Sequence, residues 1–228
     1  LNDYCDRHAD ALSQQKPKPI VQGRVTPGVA LACVWILTAS MLIIFAVLGR
    51  GALLAASAFL LLGFAYDLGV KGTPFSGVML GLAYPILPLL AWELFATVRP
   101  ALWWTFLLGM ALGLGIHLAD AMPDAEADRR VGVHGLTQLL GRRALIACWG
   151  CLMVGAVLVA ALSVARVVPV RAPILIASDT LGVGCVAIAA LVWRDEAVPL
   201  AQRLRRNFGW VVVAGFVIAT GWLAAAVA

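Results

Sequence analysis

Charge is scarce in this chain. Asp, Glu, Lys and Arg make up 13% of its 228 residues, whereas 62% are hydrophobic and the mean hydropathy is +0.94. A soluble domain carries roughly 25% charged and about 45–50% apolar residues, so the composition excludes one and points to an integral membrane protein. Cysteine is sparse and scattered. Cys5, Cys33 and Cys185 show no pattern of a disulfide framework or zinc site. Cys148-Trp149-Gly150-Cys151 has the spacing of a redox pair, but it sits in an apolar run without strand or βαβ context, and packing is its expected role. The three histidines, His8, His117 and His134, lack a zinc-ligand spacing, and a single polar contact each is expected. No low-complexity segment, short-period repeat, signal peptide or transit segment is visible.

Long apolar runs are what the chain does contain. A helix crossing about 30 Å of hydrocarbon needs about 20 such residues, and seven runs qualify: 29–48, 52–66, 75–94, 101–119, 144–165, 174–193 and 208–227. The expected fold is an all-α, polytopic transmembrane bundle forming one domain over 1–228. Seven crossings place residues 1–28, 67–74, 120–143 and 194–207 on one side. Thirteen of the 17 Lys and Arg residues lie there, with Arg50, Arg99, Arg166 and Arg171 on the other side. By the positive-inside rule the base-rich side is cytoplasmic. The net charge of +5 is then a signal of topology, and no nucleic-acid partner is expected.

Ten of the 12 acids share that side, and six of them, joined by Asn2, come in two clusters. Asn2, Asp3, Asp6 and Asp10 form the first; Asp120, Asp124 and Asp128 form the second. A step of four residues nearly returns to the same helix face, so Asn2, Asp6 and Asp10 can point one way, as can Asp124 and Asp128. Like charges stacked this way repel. Something cationic must hold them, and a hard divalent ion such as Mg2+, bound through one or two carboxylates plus substrate phosphates, is the ordinary solution. Pro123 should kink or end its helix near Met122, which takes Asp120 off a straight face with Asp124 and Asp128. Thr26-Pro27 and Lys16-Pro17-Lys18-Pro19 should keep the first loop extended or turning before a helix begins.

These residues resemble the UbiA superfamily of intramembrane prenyltransferases. Asn2-Asp3-x-x-Asp6-x-x-x-Asp10 is similar to its first motif and Asp120-x-x-x-Asp124-x-x-x-Asp128 to its second. Tyr66-Asp67-Leu68-Gly69-Val70-Lys71 resembles its Tyr…Leu-Lys-Arg loop, two spans after the first motif and two before the second. Pro19-Ile20-Val21-x-Gly23-x-Val25 and Gly132-Val133-x-Gly135-Leu136…Leu140-Gly141 are similar to the segments that follow the two motifs. The chain departs at Lys18 and Gly72, where many members have Arg, and at Asp67, where many have Ser.

The resemblance implies transfer of a prenyl group from an allylic polyprenyl diphosphate to a lipophilic acceptor, an aromatic ring or a lipid alcohol. It implies Mg2+ held by Asn2, Asp3, Asp6, Asp10, Asp120, Asp124 and Asp128. Asp6, Asp124, Lys71 and Tyr66 would be catalytic; Asn2, Lys71, Tyr66, Arg7, Lys18 and Arg129 would bind the substrate. Lys16, Arg24, Arg130 and His134 are lesser candidates for anion contact. The partners expected are prenyl diphosphate, acceptor and membrane lipid, in a bacterial or archaeal cell membrane with the site facing the cytoplasm. Members of the family usually have nine spans, so the chain is expected to lack the first two and to be inactive alone. A transporter or cation pathway is the competing class, with acids binding a permeating ion. Clustering of the acids at one face favours the enzyme.

Overall fold

The computed structural model describes residues 1–12, 18–96, 100–130, 132, 134–165 and 172–227. Among them there is no strand. Lipid offers no hydrogen-bonding partner, so each apolar run must pair its own backbone groups, and a helix does that within one segment. The helices are α1 (Asn2–Leu12), α2 (Pro27–Leu48), α3 (Arg50–Leu68), α4 (Ser76–Ala83), α5 (Ile86–Phe95), α6 (Thr105–Ala121), α7 (Ala125–Arg130), α8 (Leu136–Leu140), α9 (Ala144–Val164), α10 (Ala172–Arg194) and α11 (Leu200–Val227). Seven helical segments among the described residues are long and apolar enough to cross a membrane, and each matches one of the runs in the sequence.

The boundaries follow local chemistry. Thr26 caps α2 by accepting a hydrogen bond from the Val29 amide at 3.3 Å, and Pro27 opens the helix where its missing N–H costs nothing. One residue, Gly49, joins α2 to α3. Its φ of +140° is open to glycine and strained for other residues. The second span is longer than the 52–66 expected, so Tyr66 and Asp67 belong to the last turn of α3.

Two further expectations change. The run at 75–94 is one crossing in two pieces, because Tyr84 and Pro85 form a turn between α4 and α5; Pro85 has no N–H to continue the first helix. The last helix begins at Leu200, well before 208, so Arg203, Arg205 and Arg206 lie on α11 rather than in a loop. Long basic side chains can reach the interface from a helical turn. Arg203 does so by donating to the Trp193 carbonyl at 3.1 Å with its guanidinium 5.2 Å from the Trp193 ring centre.

Helix α6 is the centre of the bundle, packing on α4, α9 and α11, while α10 lies along α11 and α9. Leu112 and Leu118 of α6, Leu152 and Val159 of α9, and Ile218 and Trp222 of α11 fill the core. On the other flank α3 packs against α2, α4 and α5. Helix α2 buries none of its residues, in keeping with a helix facing lipid. Small residues set the close crossing of α4 and α6: Gly77 and Gly81 on one helix, Gly109 and Gly113 on the other. This crossing ties the turn preceding α4 to the end of α6, where the second acidic cluster begins.

Candidate functional site

Helix α1 puts the first cluster on one face, since Asp3, Asp6 and Asp10 follow one another at steps of three and four. The cations that hold these carboxylates are lysines. Lys18 Nζ lies 3.2 Å from Asp3 Oδ1, 3.0 Å from Asp10 Oδ2 and 3.9 Å from Asp6 Oδ2. Burial works against the Lys18 charge, yet hydrogen bonds to Asp10 and Asp3 and the charge of both carboxylates hold its pKa above the usual lysine value. Lys71, in a single 3-10 turn at Val70–Gly72, donates to Asn2 Oδ1 at 2.9 Å and to Asp6 Oδ2. Thus a loop 65 residues further along the chain reaches back to α1.

The second cluster is split as Pro123 requires. Asp120 is on the last turn of α6, Asp124 is in the turn after it and Asp128 is on α7. Asp120 and Asp124 are exposed, whereas Asp128 is half-buried and accepts from Gln138 Nε2 at 3.3 Å. Burial first, and the charge of Asp124 second, raise the Asp128 carboxyl above the usual range; the Gln138 hydrogen bond and the charge of Lys71 oppose that rise, and Asp6 adds to it.

Asp128 therefore lies within electrostatic range of both Lys71 and Asp6, and Tyr66 within range of both Asp120 and Asp6. Residues of both clusters thus lie near Tyr66 and Lys71. Below Tyr66, between α3 and α4, a groove of about 170 Å³ is lined by Phe59, Leu62, Tyr66, Asp67, Met79 and Tyr84. Tyr66, Asp67 and Tyr84 supply its polar groups, and the other lining residues are apolar. A cleft of about 430 Å³ between α10 and α11 contains none of these residues and no charged side chain.

Oxygen ligands suit a hard cation. Among the described residues, no group of three or more His, Cys, Asp or Glu side chains is placed to hold a metal ion by itself. Mg2+ does not require such a cage, because it ordinarily takes one or two carboxylates and completes its shell with water and phosphate oxygens. Two sets of carboxylates near Lys71 suit that mode of binding.

Some predicted residues are engaged elsewhere. Arg7 donates to the Tyr4 carbonyl at 2.5 Å with its guanidinium 4.3 Å from the Tyr4 ring centre, so it is turned along its own helix. Arg129 is exposed and pairs with Glu126 at 3.6 Å, one turn back. Lys16 and the side chain of Arg130 lie outside the described residues. The sequence reading missed Ser76. Its hydroxyl and His117 Nε2 are 2.8 Å apart, with Ser76 and His117 1% and 8% exposed. Their bond joins the start of α4, just after the Lys71 turn, to α6 one turn before Asp120. A histidine in an apolar run signals that it needs some partner, but nothing in its spacing names Ser76. Cys148 is buried and Cys151 half-buried in α9, both as free thiols, in line with packing.

Comparison with known proteins adds an independent line. The model of the UbiA prenyltransferase family matches residues 1–211. A 4-hydroxybenzoate octaprenyltransferase from Vibrio cholerae serotype O1 is 27% identical over 144 residues, which cover 62% of this chain and 51% of that protein. The chain spans about half the length of the curated relatives it matches. Of solved structures, the apo form of a UbiA homologue from Aeropyrum pernix K1 superimposes with a TM-score of 0.74 at 21% identity, covering 98% of this chain and 82% of that one. A UbiA homologue from Archaeoglobus fulgidus bound to Cd2+ gives a TM-score of 0.66 at 17% identity, covering 95% and 79%. These structural likenesses show a shared fold.

Proposed function

Since the chain belongs to the UbiA prenyltransferase family, we propose that it transfers a prenyl group from an allylic polyprenyl diphosphate to a lipophilic acceptor in the membrane, with Mg2+ as cofactor. The relatives named as 4-hydroxybenzoate octaprenyltransferases make an aromatic acid such as 4-hydroxybenzoate the first acceptor to try. One observation carries the reading: Lys71 bonds to Asp6 of the first cluster and lies within electrostatic range of Asp128 of the second, more than a hundred residues away, next to a largely apolar groove at Tyr66.

In this reading Asp3, Asp6 and Asp10 on one side and Asp120, Asp124 and Asp128 on the other would hold Mg2+, with Asn2 as a neutral oxygen donor. Bound there, the metal would neutralise the diphosphate as a leaving group. The bond between prenyl C1 and the diphosphate oxygen breaks, and its electron pair leaves with the diphosphate. A ring carbon of the acceptor supplies the electrons of the new C–C bond and then loses its proton to solvent or a base. Lys71 places an ammonium where diphosphate oxygens would lie, and the Tyr66 hydroxyl can donate to them. The apolar walls at Phe59, Leu62 and Met79 would take the first isoprene units and keep water from the allylic cation. The groove is smaller than the roughly 300–1,000 Å³ of a ligand pocket, so a long tail would continue along α3 and α4 into lipid. The excess of Lys and Arg beside the clusters supports a cytoplasmic orientation for this site.

The test is an assay of the full-length protein in vesicles with labelled prenyl diphosphates of several lengths and a panel of aromatic and lipid-alcohol acceptors. Product mass identifies chain length and acceptor. Absence of any metal-dependent prenylated product across the panel refutes the reading.

A further inference from the structure

Three carboxylates on one face of an eleven-residue helix need positive charge nearby, and the structure supplies it from the chain itself. Lys18 Nζ stands within 3.9 Å of Asp3, Asp6 and Asp10 together, while Lys71 takes Asn2 and Asp6. The Lys18 ammonium therefore stands among the three carboxylates of the first cluster, within ion-pair reach of each. A divalent ion bound to any two of them would meet that ammonium at close range, and like charges that near each other repel.

We propose that Lys18 is an exchangeable counter-ion: it holds Asp3, Asp6 and Asp10 in their array while no divalent cation is bound, and gives them up when one arrives. The inference rests on the reading of the first cluster as a metal site. The geometry suits an exchange made by the side chain alone. The backbone of Lys18 is tied into a turn, where its carbonyl accepts from the Gln22 amide at 3.0 Å and the Pro19 carbonyl accepts from Arg24 at 3.0 Å. Its side chain is 33% exposed, which leaves room to swing aside. Lysine also fits chemically, being a point charge on a flexible four-carbon stem, whereas the planar fork of arginine locks onto a carboxylate through two bonds. The released ammonium stays at the edge of the site, where a diphosphate oxygen can take the place of the lost carboxylates. Lys18 is in this sense a positioning residue for the metal-free state.

Two measurements on the metal-free, full-length protein in detergent test this without an activity assay. The first is titration with Mn2+ followed by electron paramagnetic resonance, for the wild type, Lys18→Met and Asp6→Asn. Lys18→Met keeps the apolar stem and removes the charge, and should bind Mn2+ about tenfold more tightly, an ordinary coupling between competing ligands. Asp6→Asn should weaken binding. The second is modification of the wild type by an amine-directed reagent, read by peptide mass spectrometry: Lys18 should react slowly without metal and severalfold faster with saturating Mg2+. Wild type that binds no Mn2+ overturns the metal site and this inference together. Wild type that binds Mn2+, with Lys18→Met no tighter or with Lys18 labelling unchanged by Mg2+, overturns the counter-ion alone.

Discussion

The contact between α4 and α6 can be tested with a single methyl group. A Cβ on Gly81 would stand 2.9 Å from the Met110 Cα and 2.9 Å from its Sδ, and a Cβ on Gly113 would stand 3.0 Å from the Gly81 Cα. Non-bonded carbons rest at about 3.5–4.0 Å. Gly81→Ala thus needs roughly 0.6–1.1 Å of extra separation, and the atom opposite is backbone, which has no rotamer to change. Overpacking of this kind costs about 1–3 kcal/mol. Alanine also returns up to about 1 kcal/mol as a better helix former, so the clash must be measured against a matched control. Gly150 in α9 is that control, since a Cβ there meets nothing within 4 Å. The expected outcome is that Gly81→Ala unfolds more easily than Gly150→Ala by about 1–3 kcal/mol, read from SDS titrations of detergent-solubilised protein by circular dichroism. Prenyl transfer should fall as well, because α4 follows the Lys71 turn and the last turn of α6 carries Asp120. Gly81→Ala as stable as Gly150→Ala would refute the packing argument.

Asp6→Ala and Asp124→Ala should each lower prenyl transfer by orders of magnitude while the protein still folds, and excess chelator should do the same to the wild type; full turnover in any of the three sinks the two-cluster site. Asn207 is fully buried on α11, where its Oδ1 accepts from Trp149 Nε1 of α9 at 2.9 Å. Asn207→Ala should therefore destabilise the bundle by roughly 0.6–1.7 kcal/mol, the range for hydrogen bonds between membrane helices, in the same SDS titration; no change in midpoint would count against that bond. A cysteine introduced beside Arg129 should react with a membrane-impermeant thiol reagent only from the cytoplasmic side of oriented vesicles, and labelling only from outside would invert the topology.

The spans were legible because lipid leaves an apolar run with few choices. Each run had to pair its own backbone, so its length and composition were enough to locate α2, α3, α6, α9 and α10 within a few residues. Where hydropathy alone was followed, boundaries slipped: Pro85 broke a run that reads as continuous, and the arginines at the start of α11 concealed about two turns of helix. The two carboxylate sets were legible for a related reason. Steps of three and four are a property of one helix, and a single sequence records them in full.

Contacts between segments could not be read in this way. The need for a cation among Asp3, Asp6 and Asp10 follows from their spacing, but only the tertiary structure decides that Lys18 and Lys71 answer it, one from a turn after α1 and the other from the loop between α3 and α4. The same holds for Ser76 as the partner of His117, and for Gly81 as the neighbour of Gly113. Helical periodicity determines which residues share a face. Which two faces meet, and at what height, depends on the sum of many weak packing contacts along both helices, and that sum exists only once the bundle has assembled.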